Sequence, residues 1–390
     1  MSSLYYFQRG ERTIAARLAY DPSDLVAAWA SLRSKMTRRL HPDFTRDEWA
    51  YLIAFLDEKS LLAPVYSTFG EFAKTQSIPH EVYVPRGSIA VWLPNNVSLL
   101  GPLVAILLSL TGQPARYKLG SRAANLVGAF LNFAAIETEN TQLREYIDER
   151  TECLFLDRGD DRIDKLVEGA AVRMVFGSDE AAGSVHAKSK SPTSVGFSFV
   201  DKHSEAWIDY NHMNDASLSE LIKIFAIYGR AGCTSPKRIV LLNSSRAEAE
   251  EFRGRLLDMW PSIIADDVDP HHASDNVMAC QWALANGWNA SLVARNKAVI
   301  ALGNMQLEPA ESHLCMNIVS CSLDEALEYL PTNTQTVGYC CSPSSHGEWL
   351  SRLSTTKIHR FVPVGKMHHF NHVWDGQDFW AGCFQSIEVA

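Results

Sequence analysis

Apolar and polar positions follow two different patterns along this chain. Over the first 80 residues the apolar positions are spaced as in amphipathic helices, so this stretch is predicted to be mainly helical. Asp21 and a capping box opened by Thr45 mark the starts of two of these helices. Residues 58–85, around Pro64 and Pro79, are predicted to be a linker with short elements.

From residue 88 onward, short apolar strands alternate with helices. Repeated strand–loop–helix units predict an α/β fold with a parallel sheet, right-handed crossovers and a ligand at the strand ends. The predicted strands are residues 89–93, 115–119, 153–156, 172–176, 239–242, 291–293, 299–302, 316–320 and 336–339. The predicted helices are residues 97–110, 122–133, 141–150, 163–170, 218–225, 246–259, 276–286 and 323–330. A domain boundary is predicted near residues 201–209.

Composition narrows the class of protein. The chain has 390 residues, of which 46% are hydrophobic and 21% charged, which predicts a globular protein of about two domains. The net charge of −9 argues against broad nucleic-acid binding. No apolar run is long enough to span a bilayer, and the first residues lack a secretory pattern. A cytoplasmic protein with reduced thiols is therefore expected.

The strongest chemical signal is the turn around Cys233. Gly229 and Gly232 allow a sharp turn before it, and Arg230, Lys237 and Arg238 are cations that would stabilise a thiolate. A cysteine in such a turn is a candidate covalent nucleophile. The alternative at this point is a buried structural cysteine in a tight loop.

The other cysteines and the histidines give weaker signals. No CxxC pair occurs, and no GxGxxG dinucleotide fingerprint occurs. Cys340 and Cys341 lack glycine-rich, basic flanks and are predicted to be structural. The histidine groups lack a matching carboxylate pattern, so packing is favoured over metal binding and no metal site is predicted. These groups are His271 with His272, and His368 with His369 and His372.

Five segments together resemble the LuxC-like acyl-CoA (acyl-protein) reductases, which are relatives of the aldehyde dehydrogenase superfamily. The resemblance covers roughly residues 85–390, and its more specific parts are the Cys-Thr-Ser-Pro-Lys turn and the Val-Trp-Asp-Gly-Gln-Asp ending. It implies an aldehyde dehydrogenase-like fold with a Rossmann-type cofactor domain and an α/β catalytic domain that carries the cysteine. The segments are residues 91–119, 175–181, 201–209, 228–238 and 360–378.

The resemblance also implies roles for single residues. Cys233 falls on the catalytic cysteine, which takes the acyl group as a thioester. Asn96 falls on the asparagine whose amide helps to bind the oxyanion, with the backbone N–H of the cysteine as the second donor. Lys118, with Ser121 shortly after it, resembles the strand-end lysine at the adenosine ribose or its 2′-phosphate. Gly177-Ser178 resembles the opening of the helix beside the pyrophosphate, where backbone N–H groups suit an anion.

The assignments of Asn96, Lys118 and Gly177-Ser178 each have a plainer alternative. Asn95 or Asn96 would simply cap the helix predicted to begin at residue 97. Lys118 would be a solvated lysine at a strand end. Gly177-Ser178 would be an ordinary turn between a strand and a helix.

One departure from the superfamily pattern is informative. Where oxidising aldehyde dehydrogenases carry a glutamate base, this sequence has Phe199. Without that carboxylate, water is poorly activated against an acyl-enzyme, as a thioester reductase requires. His203 and His372 are candidates for the proton donor by residue type alone.

The predicted domains are residues 1–205, with the N-terminal helices and the nicotinamide site, and residues 206–365, with the catalytic cysteine. Residues 366–390 are predicted to return to the cofactor domain or to an oligomer interface. The expected function is NADPH- or NADH-dependent reduction of an acyl-CoA or carrier-bound acyl thioester to an aldehyde. The alternative is a cysteine-dependent acyl transferase or aldehyde dehydrogenase on the same fold, without use of a nicotinamide. Relatives on this fold commonly associate, so a homo-oligomer is also expected.

Overall fold

A computed structural model describes residues 2–95, 97–121, 123–200, 202–229, 232–312 and 314–389. Strands and helices are numbered in chain order. The strands are β1 Ser3–Arg9, β2 Arg12–Leu18, β3 Glu71–Phe72, β4 Glu81–Pro85, β5 Ile89–Trp92, β6 Ala115–Leu119, β7 Thr151–Phe155, β8 Val172–Gly177, β9 Val195–Val200, β10 His203–Asp209, β11 Arg238–Leu242, β12 Asn289–Leu292, β13 Val299–Gly303, β14 Cys315–Ser320, β15 Thr334–Cys340, β16 Arg360–Pro363, β17 Val373–Trp374, β18 Gln377–Asp378 and β19 Phe384–Glu388. The helices are α1 Pro22–Met36, α2 Arg46–Phe55, α3 Glu58–Phe69, α4 Leu100–Ser109, α5 Leu126–Glu137, α6 Thr141–Arg150, α7 Arg162–Glu168, α8 Asp179–Ala187, α9 Asp215–Tyr228, α10 Arg246–Ile263, α11 Pro270–Ala285, α12 Leu323–Glu328 and α13 Pro343–Leu353.

The chain forms two compact units. One consists of Met1–Val200 and Phe370–Ala390, and the other of Asp201–His369. The first unit therefore contains both ends of the chain. The last strand, β19, pairs antiparallel with β4 in that unit.

The first unit holds the predicted open α/β sheet. Among its described residues the strand order is β7-β6-β5-β8-β9, and every pairing is parallel. The α/β class expected from the sequence is confirmed. Because all strands run the same way, their carboxyl ends meet at one edge, where ligands of such sheets bind.

The N-terminal residues are a correction to the prediction. Residues 3–18 form an antiparallel hairpin of β1 and β2, with Arg9 opposite Arg12, instead of a helix. Gly10 takes a φ of 63° in the connecting turn, a conformation that glycine adopts without strain. The hairpin belongs to a second described sheet of order β19-β4-β2-β1-β3, in which Phe7 and Ile14 are fully buried.

The helices after the hairpin partly follow the prediction. Asp21 accepts a bond from the backbone N–H of Ser23, and Thr45 and Glu48 form the expected capping box. The predicted linker is wrong in part, since helix α3 runs through Pro64. Burial of Leu61, Val65 and Phe69 along this helix outweighs the hydrogen bond that the proline cannot make.

The second unit is built on one mostly parallel sheet. Its described strands have the order β12-β13-β14-β11-β10-β15-β16, with only β12 antiparallel to its neighbour. Strand β10 is an inner strand of this sheet, and the unit begins at Asp201, just before it. Apolar clusters cover both faces: Ile208 and Phe225 belong to one, and Trp207 and Trp349 to the other.

No helix within the described ranges is both long enough and apolar enough to cross a lipid bilayer. The most apolar helix, α4, covers 10 residues. It is a buried helix of the first unit.

Candidate active site

The Cys233 turn lies in the second unit between helix α9 and strand β11. The helix ends at Gly229, whose φ of 51° suits glycine. Cys233 is partly exposed, whereas Thr234 and Ser235 after it are buried. A Cβ at Gly232 would lie 2.9 Å from Oγ of Ser235 and 3.0 Å from Cβ of Tyr228. The turn therefore holds a partly exposed cysteine on a packed base.

Ser204, at the start of β10, fixes the backbone of this turn. Its hydroxyl donates to the carbonyl oxygen of Cys233 at 2.7 Å. Its own carbonyl accepts from the backbone N–H of Lys237 at 2.9 Å. Because Ser204 is fully buried, both bonds are shielded from water. Nothing in the local sequence pointed to this serine.

His368 fixes the residue after the cysteine. Its Nδ1 lies 2.7 Å from Oγ1 of Thr234, and its Nε2 lies 2.6 Å from the carbonyl oxygen of Ile224 in α9. A carbonyl only accepts, so Nε2 carries the proton and Nδ1 accepts from the threonine hydroxyl. Burial lowers the pKa of His368 to about 4, and the ring is neutral at neutral pH. The sequence had presented His368 only as a member of a histidine group.

The remaining cysteines are poor nucleophiles. Burial raises the pKa of six of them, and a thiol reacts as its thiolate. The pKa is about 11 for Cys153 and for Cys341, and about 12 for Cys321. The other three with a raised pKa are Cys280, Cys340 and Cys383. Cys315 is fully buried in β14.

The expected cation cluster around Cys233 is only partly present. Arg230 lies outside the described residues. Arg238 is committed elsewhere, because its Nε donates to Oε1 of the buried Glu205 at 2.8 Å and its Nη2 to the same carboxylate and to the carbonyl of Tyr329. Arg238 is thus held by the ion pair with Glu205, and its support of a thiolate stays a prediction.

The two histidines named as proton donors have very different surroundings. His203 contacts the same Glu205, with 3.2 Å between Nε2 and Oε1. Side chains alternate along a strand, and Ser204 between these two residues is the one that bonds to the Cys233 carbonyl. His203 is therefore turned to the other face of β10.

His372 belongs to the first unit. Burial lowers its pKa, and Asp378, at 4.0 Å, opposes that shift. Its Nδ1 is buried without a hydrogen-bond partner among the described residues. The role of His372 as a proton donor stays a prediction.

The segment predicted to hold the oxyanion follows β5. Asn96 lies outside the described residues. Asn95 packs beside Gly120, where a Cβ would come within 2.7 Å of its Nδ2. Helix α4 begins at Leu100, its N-cap residue is Leu99, and no side chain bonds at that cap. A helix capped by Asn95 and beginning at residue 97 is therefore excluded.

Lys118, Ser121, Gly177 and Ser178 lie at the carboxyl edge of the parallel sheet in the first unit. Lys118 is on β6 opposite Leu154 of β7, and the hydroxyl of Ser121 just beyond donates to Asp157. Burial lowers the pKa of Lys118, with a further contribution from Arg158, while Asp157 opposes the shift. Lys118 and Arg158 carry two positive charges and Asp157 carries one negative charge, so the net positive charge at this strand end suits a phosphate.

Gly177 is the last residue of β8, and Ser178 is the N-cap of α8. The Ser178 hydroxyl accepts from the backbone N–H of Ala181 at 3.2 Å. The remaining N–H groups of the first turn point along the helix axis toward the sheet edge. The strand-to-helix turn predicted here is confirmed, and its part in cofactor binding stays a prediction.

Phe199 lies within an aromatic cluster of the first unit. It is opposite Phe176 in the pairing of β8 with β9, and the two rings stack with centroids 4.5 Å apart. Phe379 packs edge-on against it at 5.9 Å. Phe199 is 6% exposed, so this position is apolar and nearly closed to water.

Within the described ranges, no group of three or more histidine, cysteine, aspartate or glutamate residues is arranged to hold a metal ion. Both nitrogens of His368 are engaged in hydrogen bonds.

Solved structures with the same fold define the class of protein. A glyceraldehyde-3-phosphate dehydrogenase from Methanocaldococcus jannaschii, complexed with NADP, is 12% identical with a TM-score of 0.67, over 94% of this chain and 89% of that one. Aldehyde dehydrogenase 21 from Physcomitrella patens is 12% identical with a TM-score of 0.66, over 95% and 86%. A succinic semialdehyde dehydrogenase from Streptococcus pyogenes, with NADP+ as cofactor, is 12% identical with a TM-score of 0.64, over 95% and 91%. The chain has the aldehyde dehydrogenase fold.

The family model of the acyl-CoA reductases (LuxC) matches residues 6–378, nearly the whole chain. The chain belongs to the LuxC acyl-CoA reductase family, as the resemblance predicted. It is an enzyme that reduces an acyl thioester to an aldehyde with a nicotinamide cofactor. A search of curated protein sequences found no match.

Proposed function

We propose that Cys233 is the nucleophile of this reductase and carries the acyl group as a thioester. The supporting observation is the packed turn that carries the partly exposed Cys233, whereas burial raises the pKa of six other thiols. Thiolate attack on an acyl-CoA or carrier thioester exchanges one thioester for another. The sulfur–carbon bond to Cys233 forms, and the bond to the departing thiol breaks.

The tetrahedral oxyanion formed in this attack needs preorganised donors. The side-chain amide of Asn96 and the backbone N–H of Cys233 take this role, by the family resemblance. Each such donor is worth about 3–4 kcal/mol of transition-state stabilisation. The bond from Ser204 to the Cys233 carbonyl fixes the turn on which the second donor sits.

The first unit binds the cofactor in this proposal, and the second unit supplies the nucleophile. Lys118 and Arg158 would contact the adenosine phosphate, and Gly177 and Ser178 would face the pyrophosphate. The paired cations favour NADPH over NADH, in keeping with the NADP carried by two structures of the same fold. When bound, NADPH supplies the hydride that brings the acyl group to the aldehyde level.

Phe199 protects the acyl-enzyme from hydrolysis. It provides no carboxylate to activate water, and its ring packs with Phe176 and Phe379 in a buried apolar cluster of the first unit. A general base would contribute about 10²–10⁴-fold to hydrolysis, so its absence preserves the thioester for reduction. A cysteine nucleophile has to stay reduced, so we place the enzyme in the cytoplasm.

The experiment is acylation with an isotope-labelled acyl-CoA, followed by peptide mass mapping and by aldehyde detection after NADPH is added. We expect label on Cys233, aldehyde only with NADPH, and neither product from Cys233→Ala. Cys341→Ala is the matched control, since Cys341 is also partly exposed but the pKa of its thiol is raised to about 11. Label on another cysteine, or full turnover by Cys233→Ala, would overturn the assignment. Stable acylation without aldehyde would instead favour an acyl transferase.

A further inference from the structure

We propose that His368 is a positioning residue for Cys233, acting through the hydroxyl of Thr234. The inference rests on the proposed role of Cys233 as the nucleophile. His368 does not take part in proton transfer with the substrate in this account. It holds the residue next to the nucleophile against helix α9.

The geometry begins at the helix. The Nε2–H of His368 donates to the carbonyl of Ile224 at 2.6 Å, which fixes the plane of the imidazole against α9. The ring of Tyr228 meets the imidazole edge to face with centroids 4.9 Å apart. With its ring held in this way, His368 offers Nδ1 as a fixed acceptor.

The threonine hydroxyl then connects this acceptor to the turn. Oγ1 of Thr234 lies 2.7 Å from Nδ1, and both side chains are nine-tenths or more buried, at 5% and 6% exposure. Water therefore does not compete for the bond. On the other side, Ser204 holds the carbonyl of Cys233 at 2.7 Å. The peptide that joins Cys233 to Thr234 is thus fastened at both ends.

These two hydrogen bonds matter for the reaction because they limit how far the sulfur of Cys233 can be displaced from its reacting position. A reacting group displaced by about 1 Å loses about 10²-fold in rate. The sulfur and the backbone N–H of Cys233 are both joined to this peptide through the Cα of Cys233, so we expect that freeing the threonine loosens the nucleophile and the proposed oxyanion donor. The bond from Nε2–H to the carbonyl of Ile224 sets the tautomer in which Nδ1 accepts from Thr234.

Thr234→Val and Thr234→Ser provide the test. The valine variant keeps the shape and removes the hydroxyl, and the serine variant restores it. We expect the acylation rate constant per titratable Cys233 to fall about 10- to 100-fold in Thr234→Val, with little change in KM. Thr234→Ser should recover the rate to within about threefold of the wild type.

A matched control separates positioning from stability. Thr111 of the first unit is also buried, and its hydroxyl donates to the carbonyl of Leu108 at 2.7 Å. Thr111→Val should lose a similar amount of thermal stability and keep the wild-type acylation rate. Equal acylation rates in wild type and Thr234→Val, or equal losses of acylation rate in the two valine variants, would overturn the proposal.

His368→Asn completes a double-mutant cycle with Thr234→Val. The two changes break the same link, so we expect the double variant to acylate no more slowly than Thr234→Val alone. If the double variant instead shows the product of the two single fold-losses in acylation rate, the two residues act independently and the proposal is overturned.

Alkylation of Cys233 by iodoacetamide gives a second rate that needs no acyl substrate. If the wild type is alkylated but never acylated at Cys233, the proposed function fails, whereas equal acylation in all variants overturns only the positioning role.

Discussion

The rings of Phe176 and Phe199 stack with their centroids 4.5 Å apart, on neighbouring strands of the sheet in the first unit. Phe199 stands where the family resemblance places the water-activating glutamate of oxidising aldehyde dehydrogenases. The structure adds that this position is part of an aromatic cluster as well as lacking a carboxylate. A substitution here therefore changes packing and chemistry together.

We expect Phe199→Glu to lose roughly 3–5 kcal/mol of stability, as for other large aromatic groups lost from a core. Burial would raise the pKa of the new carboxyl, so its charged form would cost further stability as the pH rises above the ordinary glutamate range. Hydrolysis of acyl-Cys233 should accelerate only at the higher pH, where the carboxylate is ionised. Phe199→Leu is the control, with modest destabilisation and a long-lived acyl-enzyme.

Thermal unfolding and the decay of acylated protein by intact mass, both without NADPH, measure these effects. Rapid hydrolysis by the wild type would show that another base activates water. An acyl-enzyme as stable in Phe199→Glu as in Phe199→Leu at every pH would show that this position does not face the acyl group.

Asn96→Ala tests the proposed oxyanion donor. We expect kcat to fall by about 10²–10³, the usual cost of one lost donor, with little effect on thermal unfolding. Because helix α4 begins at Leu100 without a side-chain cap, no capping bond is expected to be lost. A large drop in melting temperature with a normal kcat in the folded fraction would assign Asn96 a structural role.

Lys118→Gln tests the cofactor site. Loss of a charged contact to a phosphate should weaken NADPH binding about 10-fold or more, and NADH binding less. Arg158→Gln should have a smaller effect of the same kind, because Arg158 acts beside Lys118. Lys165→Gln, on the exposed side of α7, is the control. Fluorescence titration measures the affinities of the three variants and the wild type for NADPH and for NADH. Equal weakening of NADPH and NADH binding in Lys118→Gln would rule out a contact to the 2′-phosphate.

Gly232→Ala tests the packing of the nucleophile turn. The added Cβ would meet Ser235 at 2.9 Å and Tyr228 at 3.0 Å, so the turn must shift. We expect at least about 10-fold slower acylation, since misplacement by about 1 Å costs up to 10²-fold. Gly254→Ala, inside α10 with open space around it, should keep the rate and gain about 0.5–1 kcal/mol of stability. Normal acylation by Gly232→Ala would mean that the turn absorbs a side chain without moving the sulfur.

His368 predicts a pH dependence of stability. Its folded-state pKa of about 4 lies below the ordinary 6.5, so the unfolded chain takes up a proton that the folded chain excludes. The stabilisation is complete above pH 6.5 and is lost as the pH falls toward 4, at up to about 1.4 kcal/mol per pH unit. Urea unfolding of wild type and His368→Asn from neutral to acidic pH measures it. Equal pH slopes in the two proteins would contradict the assigned neutral, buried ring.

The α/β class, which is confirmed, and Cys233 as the proposed nucleophile could both be predicted from the sequence, because both are encoded in contiguous residues. Alternating apolar strands and amphipathic helices predict parallel sheets wherever they occur, and the Cys233 turn is a short local motif. The hairpin of β1 and β2 was missed because its apolar spacing also fits a helix, and only its partners in the sheet decide between the two. Strand β10 directly follows the division between the two units, and its polar residues Ser204, Glu205 and Asp209 are buried in the sheet.

Only the tertiary structure decided what surrounds the cysteine. Ser204 is 29 residues from Cys233, and His368 is 134 residues from Thr234, so no local pattern links either pair. Arg238 stands near Cys233 in sequence, yet its guanidinium pairs with Glu205. From the sequence alone, a polar side chain is predicted to be exposed. Whether it is buried depends on hydrogen bonds supplied by distant parts of the chain, which set the free energy of its burial.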